Sequence, residues 1–239
     1  MNLPESSQPR DRLIVALDLP TAKEARELVL SLGDAAGFYK IGLELFMGGE
    51  YFSLMEWLRA RGKKIFVDLK FFDVPATVAR AVARLNGRGV EFVTVHGNDA
   101  MMRAAAEAAG DVKVLAVTAL TSLDRGDLDD LGFDCDIAQL VLSRAQRARQ
   151  HGCAGVIASP REAPQLRAAL GDGLLIVTPG IRPLVNDQAG DDQKRTADVR
   201  AAIAGGADYI VVGRPIRDAA DPACAAQEIQ KQIAAHLKP

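Results

Sequence analysis

Cysteine is scarce in this 239-residue chain: Cys135, Cys153 and Cys224 stand far apart and form no CxxC pair. That spacing supports neither a disulfide framework nor a zinc knuckle, and it fits a reducing cytosol, so a cytoplasmic protein is expected. Long hydrophobic runs are missing too. No apolar stretch approaches the ~18 residues of a membrane span, and the opening MNLPESSQPRDR is polar where a secretory leader would be basic and then apolar. The expectation is no membrane partner, with residues 1–11 as a flexible tail of a single domain covering 1–239. Charge of one sign is absent as well: 29 Lys and Arg against 31 Asp and Glu leave −2, so no basic field is available for nucleic acid. The three histidines organise nothing, since His151 and His236 fall in helical stretches and His96 stands alone at a strand end, more suited to supporting a site than to acting as a base. No metal or cofactor is expected: no His and carboxylate cluster has metal-ligand spacing, and only Asp68 and Asp73, given a further carboxylate, offer oxygen ligands for Mg²⁺.

What is present is a large apolar fraction, 49%, beside 25% charged residues, enough to bury a sizeable core. Apolar, β-branched runs recur as LIVALD ending at Asp18, FYKIGLEL at Leu45, KIFVDLK at Lys70, FVTVHG at Gly97, KVLAVTAL at Leu120, GVIASP at Pro160, LLIVTPG at Gly180 and YIVVGRP at Pro215. Such runs suit parallel strands buried on both faces. Helical periodicity fills the intervals, as in Thr21–Leu32, Tyr51–Arg61, Thr77–Asn86, Met101–Ala109, Ile137–Gln150 and Ala223–Leu237. Asp18 to Glu44 and Glu44 to Lys70 are each 26 residues and Lys70 to Gly97 is 27, the stride of a regular βα unit. An open doubly wound sheet would usually carry GxGxxG or a Walker A loop, and neither occurs. The predicted architecture is therefore a single (β/α)8 TIM barrel of the α/β class. Two intervals are stretched, 40 residues from Leu120 to Pro160 and 35 from Gly180 to Pro215, and in a barrel both loops open on the catalytic face.

The densest chemical signal is VDLKFFDVPATV, where Asp68 and Lys70 alternate with Val67 and Leu69 and so share one face of the strand. Asp73 comes just before Val74-Pro75, and reads either as a site acid or as the cap of the next helix. Asp18 and Lys40 end or sit in the two preceding strands, so four charges on three neighbouring strands can form one network. Such a network is either a set of structural ion pairs or a functional site; burial of several charges seldom adds stability, which favours the site. Across the mouth, TPGIR (178–182) and VVGRP (211–215) end strands seven and eight, where barrels often bind phosphate. Backbone N–H groups at Gly180 and Gly213 approach an anion closely, and the Arg214 guanidinium holds two phosphate oxygens. The polar stretch from Ile181 to Thr196 reads as a lid over a small phosphorylated substrate.

These motifs together resemble the orotidine 5′-phosphate decarboxylase family from Leu13 to about Ala220, through ALD at Asp18, YKIG at Lys40, DLKFFDVPAT at 68–77, VTALTS at 117–122, TPGIR, GDDQKR around Gln193, and VVGRPI. The resemblance implies a cofactor-free carboxy-lyase turning orotidine 5′-phosphate into UMP and CO2 in pyrimidine biosynthesis. It also implies a homodimer with shared active sites, in which Asp73 and Thr77 reach in from the partner. By the same likeness Lys70 protonates C6, Asp68 lies near the departing carboxylate, and Asp18 and Lys40 hold the ribose. Thr121 and Pro179 would face the base, Gln193 would bridge base and phosphate, and Arg182, Gly213 and Arg214 would take the phosphate. The alternative is a Mg²⁺-dependent sugar-phosphate decarboxylase or aldolase on the same barrel. Lys40 separates the two, because the metal-dependent relatives place an acid there and an ammonium repels the ion.

Overall fold

The computed structural model describes residues 9–182 and 197–236. Within them eight strands run in order around a closed parallel barrel: β1 (Leu13–Ala16), β2 (Phe38–Gly42), β3 (Lys64–Phe71), β4 (Val90–His96), β5 (Lys113–Val117), β6 (Gly155–Ile157), β7 (Leu175–Thr178) and β8 (Tyr209–Val212). The ring closes where Ile14 of β1 lies opposite Val211 of β8. Alternate residues divide between two apolar layers. Leu13, Val15, Tyr39, Ile41, Ile65 and Val67 face the surrounding helices, whereas Ile14, Phe38, Phe66, Phe92, Leu115, Val177 and Tyr209 fill the interior. There Phe38, Phe92 and Tyr209 meet at centroid distances of 5.1 to 6.1 Å, with Phe66 against Phe92 at 5.9 Å. Gly155 is the small partner this layer needs: a Cβ there would stand 2.6 Å from Leu175 Cβ and 2.8 Å from Leu115 Cδ2.

Several element boundaries differ from the sequence reading for local reasons. FYKIGLEL stops being a strand at Gly42, and Leu43–Met47 is helical, burying Leu45 while Leu43 and Glu44 face outward. The helix expected over 77–86 runs Pro75–Ala83, since Pro at the first helical position already has a helical φ. Residues 9–11, read as the end of a loose tail, belong to a short helix Pro9–Arg12, and Asp11 lies 3.6 Å from Lys64 Nζ. The helix Ile137–Gln150 has the predicted bounds, set by a capping box between Asp136 and Gln139. Among the described residues no helix is long and apolar enough to cross a membrane.

The extra chain after β5 is folded. Arg125–Asp130 forms a helix capped by Asp124, Arg125 donates to the Cys135 carbonyl, and Arg144 lies over the Phe133 ring at 5.4 Å. Arg144 also donates to the Thr118 carbonyl at 2.6 Å, which ties this loop to the end of β5. After β7 only the base of the long loop is described, and there Arg182 N–H donates to the Ala197 carbonyl at 2.9 Å.

Candidate active site

The inward face of each strand runs past the apolar layer to the C-terminal end of the barrel, and period two brings the next inward residue out at the mouth. Ile14 and Ala16 lead to Asp18, Phe38 to Lys40, Phe66 to Asp68, Val177 to Pro179 and Val211 to Gly213. All five terminal residues line one cavity of about 460 Å³ at the C-terminal mouth, with Lys70, Thr121, Arg182 and Arg214. Its floor includes Phe66, Val117, Ile157 and Val211.

Across this mouth the charges alternate in contact. Lys40 Nζ is 2.7 Å from Asp18 Oδ1 and 3.4 Å from Asp68 Oδ2, and Lys70 Nζ is 3.0 Å from both Asp68 oxygens. Burial opposes the charge on Asp68, but Lys40, Lys70 and a hydrogen bond from Thr94 outweigh it and hold the carboxyl below its ordinary range. Burial likewise opposes the Lys40 ammonium, and Asp68 and Asp18 more than offset it, so its pKa is raised.

Lys70 reaches the cavity by a route that simple alternation does not describe. Val67 lies opposite Val93 but Phe71 lies opposite Val95, so β3 carries two extra residues, and Lys70 sits there with φ of 48°. Among the described residues it is the one non-glycine with positive φ, in a region that β3 imposes at some cost. Thr94 of β4 fills the disturbed register: its hydroxyl donates to Asp68 Oδ1 and accepts from the Lys70 N–H, each at 2.9 Å. Sequence reasoning missed Thr94, because a threonine within an apolar strand carries no signal of its own.

Arg217 was missed as well. It lines the cavity, donates to the Asp18 carbonyl at 2.6 Å and pairs with Asp218. Its position three residues after Arg214, on the turn Arg214–Arg217, was the available signal. Asp73 and Thr77 are not brought to this chain's own cavity. Asp73 is exposed and accepts from the Val74 N–H at 2.6 Å; Val74, not Asp73, is the cap of the helix, which removes the capping role read from sequence. Thr77 accepts from Arg80 at 3.2 Å. His96 is half-buried against Phe72, its pKa lowered by burial and by Arg144 and Lys70, and it does not line the cavity. Gln193 and most of the expected lid lie outside the described residues.

The sequence model described as the orotidine 5′-phosphate decarboxylase / HUMPS family matches residues 11–229. The chain is 62% identical over 223 residues to an orotidine 5′-phosphate decarboxylase of Methylococcus capsulatus, covering 93% of this chain and 92% of the relative. A Stenotrophomonas maltophilia protein of the same name is 52% identical over 95% of this chain and 94% of its own length. Among solved structures, the orotidine 5′-phosphate decarboxylase of Lactobacillus acidophilus superposes with a TM-score of 0.81 at 36% identity, over 92% of this chain and 98% of that one.

Proposed function

The chain belongs to the orotidine 5′-phosphate decarboxylase / HUMPS family, and on that premise we propose that it decarboxylates orotidine 5′-phosphate to UMP and CO2 in pyrimidine biosynthesis. The observation that carries this reading is the Asp18–Lys40–Asp68–Lys70 chain, which ends in an ammonium lining the cavity. Loss of CO2 from C6 leaves an electron pair in the ring plane, where the π system cannot take it up. The C6–carboxylate bond breaks, CO2 leaves, and Lys70 Nζ gives its proton to C6; the neutral amine then regains a proton from water. A fixed ammonium stabilises charge as it develops, with no reorganisation at the moment of reaction.

Charge matching supports the substrate. Lys40, Lys70, Arg182, Arg214 and Arg217 line the cavity with Asp18 and Asp68, an excess of three positive charges facing a phosphate and a carboxylate. In this reading Asp18 and Lys40 hold the ribose, Thr121 and Pro179 face the base, and Arg182, Gly213 and Arg214 take the phosphate. Asp68 lies beside the leaving carboxylate. Against the Mg²⁺-dependent alternative, Lys40 Nζ occupies the space between Asp18 and Asp68 where a cation would need carboxylate oxygen.

The same reading includes a cytoplasmic homodimer in which Asp73 and Thr77 complete the partner's site. Phe72 and Val74, flanking Asp73, are 67% and 63% exposed, and Met47 after β2 is 79% exposed. Apolar surface beside the mouth suits a second copy. Loss of orotidine 5′-phosphate absorbance in the presence of EDTA tests the function. Turnover is expected, with Lys70→Ala lowering kcat about 10³-fold or more; an EDTA-abolished reaction, or an unchanged Lys70→Ala rate, sinks the assignment.

A further inference from the structure

We infer that Thr94 is a positioning residue for the decarboxylation, its single hydroxyl locking the backbone of Lys70 to the carboxylate of Asp68 and so aiming the Lys70 ammonium. This rests on the function proposed above. The direction of both hydrogen bonds is fixed by chemistry. An ionised carboxylate only accepts, so the one hydroxyl proton of Thr94 goes to Asp68 Oδ1, and an oxygen lone pair remains for the Lys70 N–H, each contact being 2.9 Å. Thr94 itself is fully buried, so its hydroxyl is spent on these two contacts rather than on solvent.

The need for such a device lies in β3. Its two extra residues remove Lys70 from regular pairing with β4, and the φ of 48° is one an L side chain adopts only when its surroundings impose it. The Thr94 oxygen takes the place of the missing strand acceptor and holds Lys70 in that conformation. Through the same atom the left-handed backbone is coupled to Asp68, whose second oxygen faces Lys40. Lys70 Nζ, returning to both Asp68 oxygens, closes a ring of Thr94, Lys70 and Asp68. Valine keeps the shape of threonine but breaks this ring at two points; serine keeps it whole.

The test compares wild type with Thr94→Val, Thr94→Ser and Thr94→Ala on orotidine 5′-phosphate. Each variant is first checked for an unaltered circular dichroism spectrum, and UMP affinity is measured alongside. Thr94→Val is expected to lose roughly 10- to 100-fold in kcat, with KM and UMP affinity within about threefold, and Thr94→Ser to recover most of the loss. The acid limb of the pH profile should also move upward in Thr94→Val, because the Asp68 carboxylate, which faces Lys40 and Lys70 and lies near Tyr51, loses one of the bonds that favour its charge. If Thr94→Val does not fold, Thr94→Ala carries the same comparison with the smaller side chain. Full kcat in a folded hydroxyl-free variant overturns the role, as does a loss that serine fails to rescue. No turnover by wild type would instead overturn the reaction itself, and the two failures are distinguishable.

Discussion

Lys40 Nζ approaches Asp68 Oδ2 to 3.4 Å from the neighbouring strand, so the carboxylate beside Lys70 is held by two ammoniums rather than one. Removal of either leaves a buried charge short of a partner. Lys40→Ala is expected to lower stability by about 3 kcal/mol and to lower kcat/KM, with urea unfolding and steady-state kinetics as the measurements. An unchanged midpoint would show that Asp18 and Asp68 are solvated without Lys40.

The same network sets how stability depends on pH. Asp68 has a folded pKa below its unfolded value, so its contribution is present above the ordinary 3.8 and is lost as pH falls through the folded value. Lys40 has a folded pKa above its ordinary 10.5, so its contribution is complete below 10.5 and is lost as pH rises through the folded value. His96 is lowered, mainly by burial, and the unfolded chain therefore takes up its proton first. Stability should decline as pH drops below the ordinary 6.5, and His96→Gln should flatten that part of the curve. Thermal unfolding from pH 4 to 8 measures this difference.

Arg214 is expected to act on the phosphate and not on the base. Arg214→Ala should lower kcat/KM for orotidine 5′-phosphate by about 10²-fold or more, while activity on orotidine, which lacks the phosphate, stays within a few-fold. Equal losses on both substrates would place the guanidinium elsewhere in the reaction.

The proposed sharing of sites between two copies makes a stoichiometric prediction. Lys70→Ala and Asp73→Asn should each be nearly inactive alone. Mixed under conditions that exchange subunits, half of the dimers become hybrids, each with one intact site, so about a quarter of wild-type activity should return. Failure to complement would return Asp73 to a local role in its own chain.

The barrel was legible because βα stride, apolar strand runs and long loops at one end are all properties of the linear chain. Strand positions and strand-end motifs placed Asp18, Lys40, Asp68 and Gly213 at the mouth without any knowledge of contacts, and the family resemblance added Pro179. What it did not reveal is the irregular part. Alternation put Lys70 on the same face as Asp68, but the structure reaches that result through two extra residues and a left-handed backbone, which depend on β4 and so on a partner 24 residues away. Thr94 was invisible for that reason, whereas Arg217 had only its spacing from Arg214 to mark it, since its contact to the end of β1 is with the backbone carbonyl of Asp18. The Gly42 boundary was misread because Leu43 and Leu45 extend an apolar run whose period changes from two to 3.6 at the glycine.

Beneath the charged mouth, Phe38, Phe66, Phe92 and Tyr209 fill the barrel with interlocked rings. Among the described residues the site is thus backed by this apolar layer and opens at the C-terminal mouth. In the proposed reaction, substrate, carbon dioxide, nucleotide and the replacement proton for Lys70 would all pass through that mouth. On the proposed mechanism, recharging of the lysine is therefore tied to product departure.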